Sequence, residues 1–94
     1  MVNLSENSEV IALQALKWLV AQDELCTLFM GATGASEADL RERIADIDFL
    51  GSVLDFLLQD DSWVISFCDD NELAYDCVMR ARVLLLGGDQ MHWT

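Results

Sequence analysis

The residues of this 94-residue chain whose types could carry chemistry are three cysteines, one histidine, three tryptophans and a glycine-containing turn. The turn, "MGATGASEADL" at residues 30–40, invites a phosphate-binding reading because Gly31 and Gly34 run into a helix start at Ser36. A phosphate loop needs a lysine and a hydroxyl directly after its last glycine, and a strand before its first. Here a helical pattern precedes Gly31, Ala35 and Ser36 follow Gly34, and no lysine follows Lys17. Glu37 and Asp39 fall in the first turn of the next helix, where they complement its dipole and repel an incoming anion. The Gly-x-x-Gly of nucleic-acid-binding KH domains fails on the same charge. The stretch reads as punctuation: Gly31 ends one helix, Gly34 turns the chain and Ser36 caps the next.

His92 with Cys68 and Cys77 would be a conceivable metal set, but no Cys-x-x-Cys or His-x-x-x-His spacing supports it. Cysteine–histidine catalysis needs a depressed thiol pKa, and Asp69, Asp70 and Asp76 push the neighbouring thiols the other way. "DDSWVISFCDDNE" lacks the alternating acids, central glycine and terminal glutamate of a calcium loop. Its carboxylates (Asp60, Asp61, Asp69, Asp70, Glu72, with Asp76 beyond) are a solvated face or a docking surface for a basic partner. No catalytic residue, cofactor or metal is expected, and the chain reads as a non-enzyme.

The tryptophans point to interaction. Trp18 lies in a helix apolar nearly all round, and Trp63 follows a pair of aspartates. Met91, His92 and Trp93 close the chain after Gly87 and Gly88. Trp is enriched among residues that dominate binding energy, whereas termini fray unless tied down. Trp93 therefore either folds back into a groove of its own domain or anchors in a partner. The candidate interaction residues are Trp18, Trp63, Met91, His92 and Trp93.

Hydrophobic residues make up 53% of the chain, which excludes disorder, and the net charge is −12. That charge disfavours non-specific binding to nucleic acid or anionic membrane. No run approaches the length of a membrane span. The N-terminus lacks the basic and apolar regions of a signal peptide, and the odd, unclustered cysteines suit a reducing compartment. A single cytoplasmic domain over residues 1–94 is expected, with residues 1–5 frayed.

The elements that must position these residues are all helical. The first runs from Glu6 or Ser8 to Ala21. The second is capped by Asp23 and ended by Gly31 in the left-handed conformation. The third starts at Ser36 with Asp39 completing a variant capping box, and carries Glu37–Arg41 and Asp39–Arg43 pairs. The fourth begins near Asp48 and confines polarity to one stripe, Asp48, Ser52, Asp55 and Gln59. The fifth is capped by Asp61 or Ser62. The sixth starts near Asp76 and stops at Gly87 and Gly88. Only "WVISF" alternates like a strand, and a lone strand has no sheet to join. The expected fold is all-α, a compact irregular bundle of five or six short helices.

"VIALQALKWL", "FMGATGASEADLRERIAD", "FLGSVLDFLLQDDSWVISFCD", Ala81–Arg82, Gly87–Gly88 and the terminal "HWT" together resemble the bacterial family called domain of unknown function 3572. The resemblance covers nearly the whole chain. It implies a short cytoplasmic protein, a partner in a response-regulator pathway, and no catalytic residues to carry over. The chain departs from the pattern in lacking proline, which the resemblance associates with helix junctions at Ile47, Ala74 and Leu86. The expected function is a non-catalytic interaction module that self-associates as a homodimer or binds a protein partner. The alternative is an acidic decoy covering a basic nucleic-acid-binding protein surface.

Overall fold

Six helices account for the fold, and each begins or ends where local chemistry satisfies its free backbone groups. The computed structural model describes the backbone of residues 4–90 and the side-chain surroundings of residues 7–85. The helices are α1 (Leu4–Val20), α2 (Asp23–Thr33), α3 (Glu37–Glu42), α4 (Ile47–Leu57), α5 (Asp61–Asn71) and α6 (Cys77–Gln90). No strand occurs among the described residues, and "WVISF" is a turn and a half of α5.

Several boundaries differ from the sequence reading, each for a local reason. Gln22, not Asp23, is the N-cap of α2, and it makes no side-chain capping bond. Asp23 and Glu24 instead occupy the first helical turn, where they offset the dipole. Gly31 lies inside α2. The left-handed stop falls three residues later at Gly34 (φ 78°), whose N–H donates to Met30 O. Asp60 caps α5 in place of Asp61 or Ser62, accepting from Ser62 N at 2.9 Å. The helix ends on Glu72 in the left-handed region, with Leu73 N closing back to Cys68 O. α6 continues through Gly87 and Gly88 to Gln90. A glycine costs a helix interior only about 1 kcal/mol relative to alanine and does not by itself terminate it.

The expected box at α3 is present: Asp39 N donates to Ser36 Oγ, and Ser36 N donates to Asp39 Oδ2. Because Asp39 is committed there, Arg43 pairs with Asp46 at 2.8 Å rather than with Asp39. No Glu37–Arg41 bridge occurs among the described residues.

α4 is the central element. Phe49, Leu50, Gly51, Val53, Leu54, Phe56 and Leu57 are all buried, as its nearly all-apolar circumference demands. α1 packs against α6, α4 and α2. It buries Ala12, Ala15, Leu16 and Leu19 and packs Ile11 and Trp18 against the core, while Val10, Leu13 and Val20 stay exposed. Phe29, Phe67 and Val78 complete the interior from α2, α5 and α6.

Candidate functional site: an acidic tryptophan groove

The two tryptophans singled out in the described part of the chain meet at one site. Trp18, near the end of α1, and Trp63, in the first turn of α5, line a cavity of about 680 Å³. α2 adds Asp23, Glu24, Leu25 and Leu28, and α5 adds Ser66, Asp69 and Asp70, with Gln22 between α1 and α2. Trp63, Ser66 and Asp70 share one face of α5 because they are spaced at three and seven residues. Leu28 is 57% exposed, so the groove presents apolar surface to solvent beside its carboxylates. No basic side chain lines it.

Both indoles are held in place. Trp18 Nε1 donates to Asp70 Oδ2 at 2.7 Å, and its ring meets Phe67 edge-on at 5.9 Å. Trp63 stacks on Phe56 with centroids 4.9 Å apart and planes 20° apart. Phe56 packs edge-on against Phe29, Phe29 against Phe49, and the Arg43 guanidinium lies 4.9 Å over Phe49. A continuous aromatic series thus links the groove to the α3–α4 junction. On the rim, Tyr75 Oη donates to Asp69 Oδ1 at 2.8 Å, which raises the phenol's pKa by favouring its protonated form.

Lys17, the neighbour of Trp18, serves a different surface. It lines a second, mainly apolar hollow of about 330 Å³ with Leu13, Leu16, Val20, Leu40 and Ile44. Met91, His92 and Trp93 lie outside the described residues, as do the expectations placed on them.

The cysteines are held as thiols. Burial, then the neighbouring Cys77, pushes the Cys68 thiol up to about 12, and its Sγ lies 4.0 Å from that of Cys77. Burial also raises Cys77, and burial followed by Asp23 and Glu37 raises Cys26. Thiolate chemistry is therefore suppressed at all three. No group of three or more His, Cys, Asp or Glu side chains is placed to hold a metal ion among the described residues. At the glycine turn, Ser36 and Asp39 engage each other's backbone N–H groups, so the helix start satisfies itself.

Sequence reasoning also missed an ion pair that spans two helices. Arg82 of α6 engages Asp55 of α4 through two nitrogens, Nε to Oδ1 and Nη2 to Oδ2. The polar stripe of α4 contained the signal, since Asp55 interrupts an otherwise apolar run. Its partner could not be read without knowing that α6 crosses α4 there.

A family model described as Protein of unknown function (DUF3572) matches residues 5–88. No curated protein and no solved structure matches the chain.

Proposed function

We propose, for a chain that belongs to the DUF3572 family, a non-catalytic protein-interaction module that receives a segment of a protein partner between Trp18 and Trp63. One observation carries this reading: two tryptophans from distant parts of the chain flank one open cavity whose walls are pre-ordered. Ordered aromatic walls lower the entropic cost of binding, because their rotamers are already restricted. The setting we propose is the cytoplasm. None of the described helices is long and apolar enough to cross a membrane, which is compatible with that placement.

The acidic-decoy reading has weaker support. Several carboxylates of the densest acidic stretch have internal roles: Asp60 caps α5, Asp69 and Asp70 accept from Tyr75 and Trp18, and Asp76 pairs with Arg80. A decoy would present them as an unoccupied array.

The test is site-directed photo-crosslinking in native cells, with a benzophenone side chain at Leu28 in the groove and at exposed Val83 as control. The expected result is a discrete adduct from position 28, absent from position 83 and lost when Ser66→Arg fills the groove without touching the core. Identical adducts from both positions, or an adduct indifferent to Ser66→Arg, would overturn the reading.

A further inference from the structure

We infer that the segment received by this groove is basic and is anchored by an arginine side chain. The inference rests on the groove being a docking site, and adds the chemistry of what docks. Charge decides first: Asp23, Glu24, Asp69 and Asp70 line the cavity with no lysine or arginine among them. An anionic segment meets like charge there, and a purely apolar one would strip water from four carboxylates without replacing their contacts.

Geometry then selects the kind of cation. A hard metal ion needs several oxygens converging on one point, and no such grouping exists among the described residues. The walls instead offer indole rings, which attract a diffuse organic cation through their quadrupole. Trp63 is fixed by its stack on Phe56, and Trp18 by its bond to Asp70. Asp70 uses Oδ2 for Trp18 and Asp69 uses Oδ1 for Tyr75. Asp70 Oδ1 and Asp69 Oδ2 have no hydrogen-bond partner among the described residues. A guanidinium is planar, stacks on an indole and donates along its edge to a carboxylate at the same time. An ammonium is a compact, strongly hydrated point charge that does only part of this. Arginine therefore fits better than lysine. Leu25 and Leu28 supply apolar surface for its methylene stem.

The experiment uses the full chain with Trp93→Phe, which leaves Trp18 and Trp63 as its indoles. Nuclear magnetic resonance follows their two Nε1–H signals at near-physiological salt. The probe is a blocked peptide alternating glycine with three arginines, compared with lysine and citrulline versions. The expected result is saturable movement of both indole signals by the arginine peptide, weaker binding of the lysine peptide and no movement with citrulline. Asp70→Asn should weaken the arginine peptide about fivefold, the effect of losing one exposed charge contact. Ser66→Arg should abolish its binding. Equal movement by the citrulline peptide would overturn the inference, as would arginine-induced shifts scattered over other acidic surfaces with the indoles unmoved. An adduct at Leu28 that the arginine peptide fails to displace would leave the docking site standing and remove only its arginine anchor.

Discussion

At the scale of single residues, aspartates do much of the work of starting helices. Asp46 Oδ1 accepts from Asp48 N and Phe49 N at the head of α4, while Oδ2 takes the Arg43 guanidinium. The Arg43 bond, then the backbone bond from Phe49, holds the Asp46 carboxyl below its ordinary range. The Ser62 hydroxyl and backbone N–H do the same for Asp60 at the head of α5. Both groups titrate lower in the folded chain than in the unfolded one. Their stabilising contribution is therefore fully present above the unfolded carboxylate pKa of about 4 and is lost as pH falls through the folded value. Melting temperature should hold steady from neutral pH down to about 5 and then drop. Asp46→Asn, which retains a cap but loses the charge, should flatten part of that drop. An acid limb unchanged in both Asp46→Asn and Asp60→Asn would show that other carboxylates govern it.

At the scale of elements, glycine position distinguishes helix interior from helix end. Gly31 sits inside α2, and a Cβ built there meets nothing within 4 Å. Gly31→Ala should therefore raise unfolding free energy by about 0.5–1 kcal/mol through backbone entropy. Gly34 ends the same helix at φ 78°, also in open space. Gly34→Ala should lower stability by about 1 kcal/mol, since any Cβ is strained in the left-handed region. Denaturant midpoints of the two variants must move in opposite directions; movement in the same direction would mean the helix does not end at Gly34. Glu72 shows the same strain without a glycine, at φ 56°.

At the scale of the whole molecule, a net charge of −12 is set against three ion pairs among the described residues, those of Arg43, Arg80 and Arg82. Unbalanced acids repel one another most in the compact state. Salt shortens the range of that repulsion, from about 30 Å at 0.01 M to below 8 Å above physiological strength. Thermal melts should show stability rising from low salt to about 0.5 M sodium chloride. A flat or falling dependence would mean that attractive pairs outweigh the self-repulsion. The aromatic series ties this scale to the groove. Phe29 is fully buried between Phe49 and Phe56. Phe29→Ala should cost about 3–5 kcal/mol, and it should broaden the Trp63 indole signal by loosening the ring it stacks on. A sharp, unmoved Trp63 signal in that variant would show that the groove is held independently of the core.

Local physics was legible from the chain alone. That the chain is all-helical, in five or six elements, follows from periodicity, while the caps of α2 and α5 lie one or two residues from where the sequence puts them. The Ser36–Asp39 box is a contact of near neighbours whose geometry spacing largely determines. The burial of α4 follows from its composition, since a helix apolar on nearly every face has no stable place but the centre. The nearly all-apolar α1 was the harder case. Periodicity cannot say which half faces the core, and packing against α4 and α6 chose Ala12, Ala15, Leu16 and Leu19 while leaving Val10, Leu13 and Val20 outside. The tryptophans were legible as candidates but not as one site. Trp18 and Asp70 lie 52 residues apart, and only the packing of the whole bundle brings the end of α1 to α5 so that Trp18 Nε1 and Asp70 Oδ2 meet at 2.7 Å. Arg82 and Asp55 meet for the same reason. Contacts within one helical turn are set by bond geometry, and so belong to the sequence. Contacts between helices depend on which faces share the core, and that is decided when the whole chain packs.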